Sequence, residues 1–202
     1  MDRQSELWFN RQFEELYRQI PDPWGCAAGE ESLNNNLFLE LLVSHRPVYQ
    51  TALDIGCGLG GFTDRVRRYT GARMIGIDVA ETAVKQARAA HPRTQFLAMN
   101  IMTENLSWTG WEGAMDLVIM SEVLWYVCDF LDEVLLKIQM LLTDNGVFAV
   151  HQFFPEPQAF YAEYVNGLEG FRKCMSSDWE QTGMVVNYGS AGPVLLGLYQ
   201  RR

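Results

Sequence analysis

The chain has 202 residues, enough for one well-buried domain and few for two, and its 48% hydrophobic and 20% charged residues are ordinary for a soluble globular protein. A formal charge of −9 repels nucleic acid, and the most basic run, Arg65-Val66-Arg67-Arg68, reads as an exposed helix face. No apolar run approaches the roughly 18 residues that span a bilayer, and the polar start Met1-Asp2-Arg3-Gln4-Ser5-Glu6 has no apolar signal core, so neither a membrane nor a secretion route is expected and the location follows as cytoplasmic.

The segment Ser5 to Ile20 places Phe9, Phe13, Leu16, Tyr17 and Ile20 at helical spacing with mixed charges elsewhere, which predicts a helix docked on the domain. Pro21-Asp22-Pro23-Trp24-Gly25 ends it. A second helix is expected over Ser32 to His45, closed by Pro47, so residues 1–47 are expected to form a helical cap or lid on a core of residues 48–202. Short apolar runs then alternate with helical patterns, the signature of β-α-β units and a mainly parallel sheet. Strands are predicted at Thr51 to Ile55, Arg73 to Ile77, Gln95 to Met99, Met115 to Met120 and Val147 to Val150, and helices at Phe62 to Tyr69, Glu81 to Ala90 and Phe130 to Leu142, the last stopped by Asn145-Gly146. An aromatic helix is expected over Pro155 to Phe171. An antiparallel hairpin, Met184 to Tyr188 and Val194 to Gln200, closes the sheet.

The four cysteines are far apart, and the three histidines, His45, His91 and His151, have no zinc spacing, so no metal is expected. Chemistry concentrates instead at Asp54-Ile55-Gly56-Cys57-Gly58-Leu59-Gly60-Gly61, where an apolar strand carrying an acid stops at alternating glycines before a helix. Glycines there permit positive φ and let a ligand approach main-chain N–H groups. Gly56, Gly58 and Gly61 satisfy G-x-G-x-x-G, and Asp78 lies far enough on to take ribose hydroxyls, so a nicotinamide oxidoreductase is one reading. Three features favour another ligand. Asp54 would repel a pyrophosphate and attract a cationic group, no second substrate domain follows, and the terminal hairpin does not extend a dinucleotide-fold sheet.

Leu53-Asp54-Ile55-Gly56-Cys57-Gly58-Leu59-Gly60, Gly76-Ile77-Asp78-Val79, Asn100-Ile101 and Met115-Asp116-Leu117-Val118 with Ser121-Glu122-Val123-Leu124-Trp125-Tyr126 together resemble the class I S-adenosylmethionine-dependent methyltransferases. Asp22-Pro23-Trp24 and the Ser121 to Tyr126 run are similar to the N-methyltransferases of rhizobial nodulation-factor synthesis. The resemblance implies a seven-stranded α/β sheet, Rossmann-like and doubly wound, mostly parallel, with S-adenosyl-L-methionine across the strand ends. Carried over by position, Asp54, Gly56, Gly58 and Gly60 line its methionine moiety, Asp78 takes its ribose hydroxyls, and Val79 belongs to the cofactor-binding set. Asn100, where many members have Asp, and Ile101 meet the adenine, and Ser121 joins the cofactor shell. It also implies a small amine or sugar-like acceptor. A methyltransferase-like binding subunit without turnover is the non-enzyme alternative.

Methyl transfer from a sulfonium is an in-line displacement that mainly requires alignment in a dry pocket. If the acceptor is an ammonium or hydroxyl, a base must take its proton, and the fourth and fifth strand ends offer Glu122 and His151. Trp125 and Tyr126, with Trp24, are expected to wall the acceptor site, and Phe153, Phe154, Phe160, Tyr161 and Tyr164 are further candidates. The first helix, with Trp8 and Tyr17, is expected to lie over the cleft.

Overall fold

The computed structural model describes residues 3–25, 32–46 and 48–202, and side chains from residue 11 onward within those spans. Seven strands are formed: β1 (Thr51–Ile55), β2 (Arg73–Asp78), β3 (Gln95–Ala98), β4 (Met115–Ser121), β5 (Leu142–Phe153), β6 (Trp179–Gly189) and β7 (Gly192–Arg201). They make one sheet in the order β3-β2-β1-β4-β5-β7-β6. The pairs among β1 to β5 are parallel, whereas β7 runs antiparallel to both β5 and β6. The strand order reverses between β1 and β4, and in open α/β sheets the crevice at such a reversal, beyond the carboxyl ends of the strands, is where ligands bind.

Both faces of the central strands are apolar because both are covered. On one face Leu53, Ile75, Val118, Phe148 and Leu195 pack beneath α6 (Leu131–Leu141) and α7 (Gly167–Met175). On the other, Ala52, Met74, Leu117, Val147 and Leu196 meet α2 (Leu33–His45) through Phe38, Leu39 and Leu42, and α3 (Gly61–Thr70) through Val66. Thus α2 is a structural layer of the core, and α1 (Arg3–Gln19) is the element seated beside α4 (Glu81–Ala90) and the glycine loop. Ser32 caps α2, its hydroxyl accepting from Asn35 N at 3.1 Å.

Two predicted elements are corrected. The fifth strand begins at Leu142, directly after α6, and continues to Phe153, because β7 offers it partners out to the Phe153–Val194 pair and an irregularity absorbs residues 143–146. His151 therefore sits two residues inside the strand. The aromatic segment after Pro155 is an irregular loop, and helix begins only at Gly167. Pro155 and Pro157 have no N–H to give a helix, Phe154 and Glu156 donate instead to Pro193 O and Ala191 O, and Gln158 ties the loop through Phe160 O, Val165 O and Gly167 N.

Candidate active site

The glycine loop is held by the two acids that flank it. Asp54, in β1, is 3% exposed and accepts from the Thr63 hydroxyl at 2.6 Å, a donor presented by the first turn of α3. Burial, with the nearby Asp78 charge adding to it, pushes the Asp54 carboxyl from 3.8 up to about 7. Asp78, at the end of β2, accepts from Gly58 N and from Ala80 N, both at 2.9 Å, and so fastens the loop to the neighbouring strand. Its pKa is also raised by burial, against which its backbone donors work.

Gly56 and Gly58 have φ of 75° and 51°, in the left-handed region where a Cβ is strained. A side chain at Gly58 would also meet the Tyr17 hydroxyl, 2.8 Å from the ideal Cβ position, so α1 closes over this turn. Gly60 departs from its expected role, since it does not line the cavity. It enters α3 at φ 78°, and its missing side chain makes room for the Phe96 ring and Ala87.

At the ends of β4 and β5 the two candidate bases meet as expected. Glu122 has φ 56°, a costly backbone for a non-glycine residue. That turn folds its carboxylate back to accept from Phe153 N at 3.0 and 3.2 Å and from Gln152 Nε2 at 3.0 Å. Its side chain is 47% exposed, yet the surface it shows faces the cavity, and the enclosing walls raise its pKa from 4.5 to about 7. His151 Nε2 lies 3.7 Å from Glu122 Oε1, and its Nδ1 is 3.1 Å from Ser121 Oγ. Burial depresses the imidazole to about 4, so at neutral pH His151 is an uncharged neighbour of Glu122.

These groups open into one cavity of about 590 Å³, in the size range of small-molecule sites. Asp54, Gly56, Gly58, Asp78, Val79, Asn100, Ile101, Ser121, Glu122, His151, Trp24, Trp125 and Tyr126 all line it. Asn100 Oδ1 is engaged by Met102 N at 2.9 Å, which turns the loop beyond β3 and reduces what that oxygen can offer an adenine. Trp125 contributes a wall but is also wedged edge-on between Phe154 and Phe160, its indole N–H given to Phe153 O at 3.1 Å. Of the aromatic segment only Phe153 reaches the cavity, whereas Phe154 is in the core and Phe160, Tyr161 and Tyr164 face outward.

The mouth is lined by Trp24 and Tyr126, which the sequence singled out for the site, and by Phe13 of α1, which it did not. Phe13 of α1 meets Tyr126 edge-to-face at 5.0 Å, and Trp24 lies 6.4 Å from the same ring. Glu14 anchors α1 by accepting Thr82 N at 3.0 Å and Thr82 Oγ1 at 2.6 Å, supplying the side-chain cap that Ala80, at the start of α4, cannot give. The expected contribution of Trp8 lies outside the described side chains. Thr63, Gln152 and Glu14 were missed because each acts on a residue remote in sequence. The charged side chains in the lining are Asp22, Asp54, Asp78 and Glu122, and no lysine or arginine joins them among the described residues. Nor do the described residues contain a cluster of three or more potential metal ligands.

Residues 53–148 match the methyltransferase domain family. Nodulation protein S of Sinorhizobium fredii is 28% identical over 117 residues, 56% of this chain and 52% of that protein. Trans-aconitate 2-methyltransferase of Methylobacterium radiotolerans is 35% identical over 100 residues, 49% of this chain and 36% of that one. The chain thus spans about half or less of the length of these curated relatives. In three dimensions the fold is similar to that of the N-methyltransferase NodS from Bradyrhizobium japonicum, solved with S-adenosyl-L-homocysteine, at a TM-score of 0.76 and 20% identity over 95% of this chain and 98% of that one.

Proposed function

We propose that the chain, whose residues 53–148 match the methyltransferase domain family and whose fold is similar to that of NodS, moves a methyl group from S-adenosyl-L-methionine to the nitrogen of a small amine. The observation that carries the reading is the charge of the cavity: four carboxylates line it and no cationic side chain does, among the described residues. Asp54 is the strongest test of fit. A carboxylate so deeply buried, with a neutral hydroxyl as its hydrogen-bond donor and an acid as its charged neighbour, gains from an arriving ammonium and loses from an arriving phosphate. This favours a sulfonium amino acid over a dinucleotide.

The bound cofactor supplies an electrophilic methyl group on a cationic sulfur. Asp54 would hold its ammonium, Asp78 its ribose hydroxyls, and the Asn100–Met102 turn would border its adenine. Ser121, Glu122 and His151 lie at the strand ends where acceptor and methyl must align. Glu122 serves as the base. A carboxyl near 7 is half ionised at neutral pH and well matched to taking a proton from an ammonium before the freed lone pair attacks. Gln152 and Phe153 N hold that carboxylate in place, and neutral His151 beside it keeps the corner free of a competing positive charge. Tyr126, Trp24 and Phe13 offer ring faces and edges to a cationic acceptor and, with Tyr17, close residues 3–25 over the cavity as a lid.

A polycarboxylate acceptor, the kind named for one of the relatives, would enter among Asp22 and Glu122 with no cation among the described residues to receive it. The test is to measure S-adenosylhomocysteine formation against matched panels of amines, alcohols and carboxylic acids. Turnover concentrated among amines is expected; turnover with carboxylic acids alone would refute the reading.

A further inference from the structure

Lys137 stands on α6, on the far side of the Asn100–Glu104 loop from the cavity, and no sequence motif marks it. Its ammonium donates to three consecutive-turn carbonyls: Ile101 O at 2.7 Å, Met102 O at 2.8 Å and Glu104 O at 3.0 Å. Those are all the protons an ammonium has to give. The loop is equally accounted for from within, because Asn100 O accepts Thr103 N and Glu104 N, and Asn100 Oδ1 accepts Met102 N.

The consequence follows from peptide geometry. In a planar trans peptide the C=O and the next N–H point in opposite directions. Lys137 holds the Ile101 carbonyl on one side, and the Met102 N–H of the same peptide is thereby aimed at Asn100 Oδ1 on the other. The peptide unit is gripped at both ends, and the Asn100 amide, 4% exposed in the cavity wall, is oriented through it. A surface lysine paired with one carboxylate would hold little; three bonds to backbone carbonyls of one loop hold a shape.

We infer that Lys137 is a positioning residue for the nucleoside end of the cofactor, acting through the Ile101–Met102 peptide on Asn100 and the loop that borders the adenine. The inference rests on the methyltransferase reading above. It makes the wall beside Asp78 dependent on a side chain that touches no ligand. It also distinguishes the two ends of the site, since Lys137 has no connection to Asp54 or to Glu122.

The test compares Lys137→Met and Lys137→Arg with the unaltered chain and with Lys173→Met, a remote control. Hydrogen exchange in the absence of ligand should show the amides of Met102, Thr103 and Glu104 losing protection in Lys137→Met alone. Calorimetry with S-adenosylhomocysteine should show that variant binding roughly 3- to 10-fold more weakly, the equivalent of one net hydrogen bond, with Lys137→Arg partly restoring affinity. In turnover the cofactor KM should rise while the acceptor KM and the Glu122-dependent pH profile stay put. Equal affinity and equal protection in Lys137→Met would overturn the inference, as would a loss shared by acceptor and cofactor KM alike. Failure of the unaltered chain to bind S-adenosylhomocysteine at all would instead remove the methyltransferase reading, and the inference with it, while the exchange data would still report whether Lys137 holds the loop.

Discussion

Replacing Asp54 by Asn separates what this residue does for the fold from what it does for a ligand. In the ligand-free protein the carboxyl is pushed from 3.8 to about 7, chiefly by burial. The folded state therefore holds the proton more tightly than the unfolded chain, and stability falls as pH rises from about 4 to about 7. A shift of roughly 3 pH units at about 1.4 kcal/mol each sets a ceiling of about 4 kcal/mol on that loss. Asn keeps the shape and can still accept the Thr63 hydroxyl but carries no charge to desolvate. Asp54→Asn should thus stabilise the ligand-free protein by about 1–4 kcal/mol at pH 8, seen as a Tm higher by at least about 2 °C, and the gain should vanish near pH 4. Affinity for S-adenosylhomocysteine should fall about tenfold or more, as for loss of a charge-assisted bond. Thermal melts across pH, with and without ligand, read both effects. A variant that is less stable at pH 8 and binds undiminished would show that Asp54 is a structural acid and the reasoning is wrong.

Glu122→Gln should lower turnover by about 10²- to 10⁴-fold; because the native carboxyl titrates near 7, the rate of the unaltered enzyme should drop as pH falls through about 7, and the variant should lose that limb. Asp78→Ala removes the acceptor for Gly58 N as well as the ribose contact proposed for it, so S-adenosylhomocysteine binding by calorimetry should weaken by about 1–3 kcal/mol, and unchanged binding would exclude Asp78. Gly60→Ala should instead act on the fold, through its φ of 78° and the Phe96 ring, costing about 1–3 kcal/mol in denaturant melts; a variant of native stability with a cofactor defect would restore it to the site. Removing residues 1–24 should raise both cofactor and acceptor dissociation constants in a chain that still folds, and unchanged constants would end the lid proposal.

The parallel strands, the glycine turn and Asp78 were legible because backbone chemistry dictates them locally: alternation of apolar runs and helical patterns, positive φ at Gly56 and Gly58, and a carboxylate at a strand end. Glu122 and His151 were legible as a pair because β4 and β5 are neighbouring parallel strands, and the Ser121–His151 register brings the two side by side although β5 runs two residues further. What escaped was set by contacts distant in sequence. The Pro155 to Phe171 aromatics have helical spacing, yet Phe154 N and Glu156 N find partners on β7, which local periodicity does not report. Gly60 looks like its neighbours in the motif, and only the position of Phe96, some 36 residues on, reveals that it serves packing. Thr63, Gln152, Glu14 and Lys137 orient other residues across the fold, and no short motif marks that work.

The central claim is that the glycine loop faces a cation carried by a sulfonium amino acid. Its most direct test is calorimetric titration of the purified chain with S-adenosylmethionine, S-adenosylhomocysteine and NADH in parallel. Saturable binding of both sulfur compounds, abolished or severely weakened by Asp54→Asn, and no binding of NADH are expected. Binding of NADH with neither sulfur compound would contradict the claim.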